Sequence, residues 1–376
     1  MARFEPGLMP TPSANARPVV ESAPRIAVVK LGALGDGLYT FPVVSALKAF
    51  RPQATITWVV EERLRDLPLL HPAVDEVVTI DTRGWRLAAR RGRWATAWRG
   101  IAGYYRSVTG RFDVVLDVQG LLKSGVAGWL TGAPVRIGFA PEDCREPLSA
   151  RFMTHHAAPA GRVHALTRNL GLLGALGAPI EPPRFDVAPA PADETWAAER
   201  LAAHGIERDD QLAAIHPGAG HPTKRWAFGR FLSLAERLGR VPGVRAVLVA
   251  GPEDRAVVEE AATRMASPPA VIAPPSLGNL AALLRRCRVV IAGDTGPLHL
   301  AAALGVRTVA LYGPSDPVLA APVGTGHRVI KHPCACGWTP GPFFNRRCVD
   351  PPCMAAIGID EVVDAVEMQL TAHSSQ

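Results

Sequence analysis

Along this chain, short uninterrupted apolar runs alternate with helix-length segments, and each run stops at glycine or a polar residue. "RIAVVKLG" begins at Arg25, "ATITWVVEE" at Ala54, "VDEVVTI" at Val74, "FDVVLDVQG" at Phe112 and "VRIGF" at Val135. Strands separated by helix-length segments predict βαβ units around a parallel sheet. A Pro-rich stretch, "PIEPPRFDVAPAPADE" (179–194), breaks the rhythm and reads as an interdomain linker with an embedded strand at "RFDV". The rhythm then restarts with "LAAIHPGAG" (212–220), the amphipathic helix "WAFGRFLSLAERLGRV" and "RAVLVAGPED" (245–254). A short helix "NLAALLRRC" and the strand–turn–helix "RVVIAGDTGPLHLAAALG" (288–305) follow, and "RTVALYGPSDP" (307–317) closes the set. "IDEVVDAVEMQL" (359–370) reads as a last helix.

The expected fold is therefore α/β, with two consecutive doubly wound domains. Residues 1–24 read as a loose tail, 25–185 as the first domain, 186–358 as the second, and 359–376 as a helix and tail. Such sheets bind ligands outside the carboxyl ends of their strands. Two facing domains would put a ligand in the cleft between them.

Composition narrows this only a little. The chain has 376 residues, 48% apolar and 20% charged, enough for two cores. A net charge of +7 suggests an acidic partner: nucleic acid, a phosphorylated ligand or an anionic membrane. No run of ~18 apolar residues suggests a membrane span. The N-terminal residues lack the apolar core of a secretory signal. Six cysteines in a chain of this size read as reduced thiols of the cytosol.

Several turns carry candidate chemistry. In "HPGAGHPTKRW" (216–226) a strand ends, small residues turn the chain and a helix begins near Trp226. Backbone N–H groups there favour a phosphate, with Thr223 as hydroxyl donor and Lys224 as positive charge. An ordinary strand–helix turn with a surface lysine is the alternative. In "GDTGPLHLAAALG" (293–305), Pro297 suits a first helical turn, and Asp294 or Thr295 could cap the helix. The functional reading puts the amides of Thr295 and Gly296 on a diphosphate and Asp294 on sugar hydroxyls. His299 follows on the same helix, where a structural role competes. Glu253, at the end of "VLVAGPEDR", could accept from a ribose or be a solvated turn carboxylate.

The turn "KLGALGD" resembles a dinucleotide loop only loosely, and Asp36 sits where a pyrophosphate wants neutral amides. The first domain is therefore expected to hold something that needs a base: Asp36 could take a proton from a hydroxyl nucleophile. A helix N-cap is the alternative. Lys30 ends the preceding strand, and "DVQGLLKSG" (117–125) offers Gln119 and Lys123 to the same cleft. The segment 83–111 holds eight arginines, three tryptophans, two tyrosines and no acidic residue, a pattern suited to a membrane surface, a phosphorylated lipid or single-stranded nucleic acid. Cys334, Cys336, Cys348 and Cys353 lie within 20 residues, but their spacings are not the paired C-x2-C of zinc sites, so reduced thiols or a labile disulfide compete with a metal.

Together "KLGALGD", "DVQGLLKSG", "RIGF", "HPGAGHPTKRW", "VAGPEDR", "NLAALLRRCRVVIAGDTGPLHLAAALGVRTVALYGPSDP" and the Cys-rich end resemble, in order, the heptosyltransferase family (glycosyltransferase family 9) over most of residues 25–365. The resemblance implies a GT-B fold of two Rossmann-like domains facing across a cleft. It implies an N-terminal acceptor-binding domain and a C-terminal domain for a nucleotide-sugar, typically ADP-heptose. The family's catalytic aspartate falls on Asp36 and its diphosphate lysine on Lys224. Its donor contacts fall on Thr223, Glu253, Asp294, Thr295 and Gly296, to which His299 is added; Lys30, Gln119 and Lys123 are assigned to the acceptor. The sequence departs from the family at Ala33, Leu34, Gly37 and Ala227.

The expected activity is inverting, metal-independent transfer of a heptose to an anionic inner-core glycolipid of the lipid A–Kdo type. No cofactor beyond the donor and no nucleic acid is expected. The enzyme would be cytoplasmic, held peripherally at the inner membrane through 83–111. The alternatives are another nucleotide-sugar or acceptor, a non-catalytic nucleotide-sugar- or phospholipid-binding module, and a nucleic-acid-binding protein; the absence of a nucleic-acid motif argues against the last.

Overall fold

In the computed structural model, residues 24–334, 348 and 351–371 are described. The chain divides into two units between Ala188 and Pro189. Each unit is built on one six-stranded sheet whose strand pairs all run parallel.

The first sheet comprises β1 (Arg25–Val29), β2 (Thr55–Glu61), β3 (Glu76–Ile80), β4 (Val114–Asp117), β5 (Val135–Gly138) and β6 (His155–His156), in the order β3-β2-β1-β4-β5-β6. Strand order reverses between β1 and β4, so the loops that leave those two strands diverge and open a crevice at their carboxyl ends. The helices that bear on this end and its flank are α1 (Leu34–Leu38), α2 (Thr82–Arg90), α3 (Trp94–Val108), α4 (Leu122–Trp129) and α5 (Ala165–Leu176). Val29, Val59, Val115, Tyr104 and Val108 share one core beneath α3.

The second sheet comprises β7 (Gln211–His216), β8 (Val244–Val249), β9 (Ala270–Ile272), β10 (Val289–Gly293), β11 (Arg307–Tyr312) and β12 (His327–Lys331), in the order β12-β11-β10-β7-β8-β9. Its reversal lies between β7 and β10. The helices that matter here are α6 (Phe228–Leu238), α7 (Gly296–Ala303) and α8 (Ile359–Thr371). Trp226 is fully buried ahead of α6, and its indole N–H donates to the Ile357 carbonyl at 3.0 Å, tying the C-terminal segment to this core.

Two expectations are corrected. "RFDV" (184–187) is not a strand. Prolines flank it, and Asp186 adopts a φ of 45°, outside the β region. Its carboxylate instead accepts from the Ser45 hydroxyl at 2.8 Å. The second sheet also does not close at 307–317, because β12 adds a further parallel strand beside β11. Residues 1–23 and Cys336 lie outside the described residues.

Candidate functional site

At the reversal point of the first sheet, Lys30 follows β1 directly. Its ammonium is buried and donates to the Val118 carbonyl at 3.1 Å, while its own carbonyl accepts from the Trp58 indole at 3.1 Å. The Leu31 amide donates to the Gln119 side-chain oxygen at 2.6 Å. Lys30 and Gln119 thus stitch the loop after β1 to the loop after β4. Burial lowers the Lys30 pKa, against the field of Asp36.

Asp36 lies in the first turn of α1, three residues past the Ala33 N-cap position, so it does not fill the capping role. Its carboxylate is exposed and makes no hydrogen bond or ion pair with any described residue. Its electrostatic neighbours are two cations, Lys30 and Arg168. A Cβ at Gly37 would meet the Leu67 methyl at 2.4 Å.

Arg168, on α5, has no motif around it to mark it. Its guanidinium lies over the Phe139 ring at 4.9 Å, and its Nε is buried without a partner. Burial lowers its pKa, opposed first by Asp36, then by Asp143 and Cys144. Lys123, on α4, is half-exposed and pairs at 3.2 Å with the buried Glu61 carboxylate, which also accepts from the Thr82 hydroxyl. Glu61 and Asp117 both end apolar strands with a carboxylate, a signal visible in "WVVEE" and "VVLDVQG".

Asp117 accepts from the Gln119 and Gly120 amides at 2.9 and 3.3 Å and from the Ser124 hydroxyl at 2.9 Å. Burial nevertheless pushes its pKa up to about 6, and these bonds and Lys30 only moderate the rise. A carboxyl whose pKa is raised on folding gives full stability below its unfolded value and loses it as pH climbs through the folded value. Between about pH 4 and pH 7 the chain is expected to lose on the order of 3 kcal/mol through this group. Asp117→Asn keeps an acceptor for the two amides and does not ionise. Melting curves of both chains from pH 4 to 8 should show the variant gaining on the parent as pH rises; parallel curves would remove Asp117 as the source.

In the second unit, the turn after β7 is tighter than expected. Residues Pro222–Lys224 form a single 3-10 turn, and α6 starts only at Phe228, so the long helix does not point its amides at Thr223. The Thr223 hydroxyl is buried and bonds His221 Nδ1 at 2.9 Å. The 3-10 turn directs Lys224 across the reversal point to Asp294, with Nζ to Oδ2 at 2.5 Å. His299 Nε2 lies 3.1 Å from the other Asp294 oxygen. Burial alone would raise the Asp294 pKa; the His299 hydrogen bond and the Lys224 charge outweigh it and hold the carboxylate well below its usual range. Gly293 is required by close approach, since a Cβ would meet the Lys224 carbonyl oxygen at 2.9 Å.

Thr295 occupies the N-cap position of α7, yet its side chain does not cap. Its Oγ1 is buried without any hydrogen-bond partner. The free amides at the start of α7 and this spare hydroxyl together form a place for an anion. Glu253 is exposed in the turn after β8. A cavity of about 610 Å³ opens beside the β7 turn, lined among others by His221, Thr223, Trp226, Asp254 and Val257; of the expected donor residues it takes in Thr223 alone. His216, which sequence reasoning passed over, is buried and donates from Nδ1 to the Val249 carbonyl at 2.9 Å, bracing the turn from below.

Among the described residues no three His, Cys, Asp or Glu side chains gather as a metal site. Cys334 and Cys353 do meet, thiol to thiol, and burial followed by that contact pushes the Cys353 pKa up to about 11.

The chain as a whole is similar to known proteins. The model of "Glycosyltransferase family 9 (heptosyltransferase)" matches residues 104–338. Lipopolysaccharide heptosyltransferase 1 of Pseudomonas aeruginosa is 31% identical, covering 93% of this chain and 98% of the relative. The Escherichia coli protein of the same name is 30% identical over 82% of this chain and 94% of its own. Among solved structures, a family 9 glycosyl transferase from Veillonella parvula superposes with a TM-score of 0.75 at 26% identity, covering 92% of this chain and 97% of that one. E. coli heptosyltransferase WaaC with ADP gives 0.74 at 25% identity, covering 92% and 99%. The same enzyme with ADP-2-deoxy-2-fluoro heptose gives 0.67 at 27%, covering 82% and 93%.

Proposed function

Because the chain belongs to glycosyltransferase family 9, a family of heptosyltransferases with the GT-B fold, we propose that it transfers a heptose from ADP-heptose to an inner-core lipopolysaccharide acceptor. The relatives' names carry the sugar and the acceptor class, and the ADP and ADP-heptose analogue bound to WaaC carry the donor. The observation that carries the chemistry is the Asp36 carboxylate, unengaged in a turn at the reversal point of a doubly wound sheet.

In this mechanism an acceptor hydroxyl donates to Asp36 and loses its proton there as its oxygen attacks the anomeric carbon. The bond to the diphosphate breaks on the opposite face, inverting the centre. Lys30 and Gln119 serve the acceptor side by fixing the turn that presents Asp36, and Lys123 offers a cation to an acidic acceptor at the cost of sharing Glu61. On the donor side Lys224 and the first amides of α7, at Thr295 and Gly296, take the charge that grows on the leaving diphosphate. Thr223 supports the same turn, Glu253 accepts from the ribose, and Asp294, clamped by His299, sets the position of Lys224. The acceptor is lipid-anchored, so the enzyme works at the cytoplasmic face of the inner membrane, and 83–111 is the segment suited to that surface.

Calorimetric titration with ADP-, UDP- and GDP-sugars, followed by assay of nucleoside diphosphate release with acceptor, tests the reading. ADP-heptose is expected to bind and to turn over. Thr295→Val sharpens the test: removing an unpartnered buried hydroxyl should leave the melting temperature unchanged or higher, while donor affinity falls roughly tenfold. Tighter binding of another sugar nucleotide would replace the donor, and binding without turnover would make the chain a binding module.

A further inference from the structure

Helices α2 and α3 form a hairpin fixed on the first sheet. Tyr104 and Val108 enter the core, the Tyr104 hydroxyl donates to the Ala127 carbonyl at 3.1 Å, and Trp85 packs on Tyr104 with ring centroids 6.3 Å apart. The buried face of α3 is thereby spent on Ala97, Tyr104 and Val108. Three more aromatics remain outside. Trp94 is 62% exposed, Trp98 67% and Tyr105 47%, beside Leu87 of α2 at 44%. Trp94, Trp98 and Tyr105, with half-buried Ile101 between them, are spaced i, i+4, i+11 and i+7, which confines all four to a stripe about 60° wide. The stripe is centred about 70° around the helix from the buried face of Ala97, Tyr104 and Val108, so it flanks the core contact, and core packing leaves Trp94, Trp98 and Tyr105 uncovered.

The rim of the stripe has one sign of charge. Arg90, Arg91, Arg93, Arg99 and Arg106 are all exposed, and none forms an ion pair with a described residue. No acidic residue occurs from Thr82 to Phe112; only Arg111, at the far end, finds a carboxylate, that of Glu76. A rim of uncompensated guanidinium groups around exposed indoles is complementary to a surface that is anionic outside and apolar just beneath. A folded protein partner offers the apolar part but seldom a continuous sheet of negative charge, and single strands are usually stacked along a groove rather than on a convex helix.

We propose that α3 lies in the headgroup layer of an anionic bilayer, with Trp94, Trp98 and Tyr105 seated at the acyl boundary and the arginines on lipid phosphates. The proposal rests on the functional reading only for its purpose, which is to bring the enzyme to a lipid-anchored acceptor; the surface itself stands on the residues named. No helix among the described residues is long and apolar enough to cross a membrane, so the attachment is interfacial.

The full chain is floated with vesicles of phosphatidylcholine alone or with about 30% phosphatidylglycerol, at low and at high salt. Binding is expected on the anionic vesicles. Trp94→Ser/Trp98→Ser should weaken it by roughly a hundredfold at either salt, since apolar burial is not screened. Arg91→Gln/Arg93→Gln should weaken it roughly twentyfold at low salt and much less at high salt. Melting temperatures of both variants should match the parent, because the side chains removed are exposed. Transfer to a deacylated, soluble acceptor should not change in the tryptophan variant. Equal binding to neutral vesicles, undiminished binding by the tryptophan variant, or preference for single-stranded DNA would overturn the proposal. So would self-association of the parent that the tryptophan variant abolishes while vesicles stay unbound. Absence of transfer to any acceptor would sink the enzymatic reading and leave the vesicle result intact.

Discussion

Replacing Asp36 by asparagine is expected to lower turnover by about 10²–10⁴-fold while donor binding and folding stay as they are. The size follows from what is removed. Asparagine has nearly the same shape as aspartate but cannot accept a proton at neutral pH, so the acceptor hydroxyl would have to attack with its proton still in place. The selectivity follows from the structure. The Asp36 side chain makes no hydrogen bond that the amide would lose, and it is exposed, so its attraction to Lys30 and Arg168 is worth at most about 1 kcal/mol. The donor residues belong to the other unit, so ADP-heptose affinity by calorimetry should be unchanged. A single-turnover assay separates the chemical step from product release. Turnover within tenfold of the parent would remove Asp36 as the base, and a shifted donor affinity would show that the residue contacts the donor instead.

Much of the fold could be read from residues alone, for a reason visible in β1, β2, β4, β7 and β10. A strand buried on both faces needs an apolar core without alternation, as in β1, β4, β7 and β10; β2 is buried along its length as well, with Thr57 among its apolar residues. Edge strands lack that constraint. β12, "HRVIK", is polar at three of five positions and carries no such signal. "RFDV" is the opposite case: its side chains are β-prone, but the prolines around it and the Asp186 φ of 45° give its amides no strand to pair with.

The candidate site was legible where a turn carries its own chemistry, as at Asp36, Lys224 and Thr295. It was opaque where chemistry depends on strand order. Lys224 and Asp294 are 70 residues apart and meet only because β7 lies beside β10. Arg168 reaches the field of Asp36 from α5, and nothing in "ALTRNLGLL" announces that. Gln119 was assigned to a ligand because it is polar at a strand end, yet its oxygen is taken by the Leu31 amide. A polar residue at a strand end has two possible clients, ligand and loop, and composition does not distinguish them.

Lys224→Ala is expected to be the most damaging change in the second unit, and it should act twice. On catalysis, a preorganised cation facing the leaving diphosphate is lost, which costs about 10²–10³-fold in turnover and weakens donor binding as well. On the fold, Asp294 is left mostly buried with His299 as its remaining partner, and breaking such a pair typically costs about 3–5 kcal/mol when both partners are fully desolvated. Lys224 and Asp294 retain 18% and 11% exposure, so the lower part of that range applies. The two effects separate by pH. The Asp294 pKa is depressed on folding, so its stabilisation is present above about pH 4 and is lost as pH falls toward the folded value. The parent should therefore lose stability steeply below pH 4, and Lys224→Ala should lose less there because part of that stabilisation is already gone. The turnover defect should persist across the same pH range, including where the two chains are equally stable. Lys224→Arg supplies the control: it keeps the charge, so it should recover most of the stability, but its planar fork cannot reproduce a point charge held 2.5 Å from Asp294 in a space bounded by Gly293, and transfer should remain impaired. Full recovery of transfer by arginine would mean that charge alone matters at this position; unchanged donor affinity and turnover in Lys224→Ala would free the lysine of any part in the reaction.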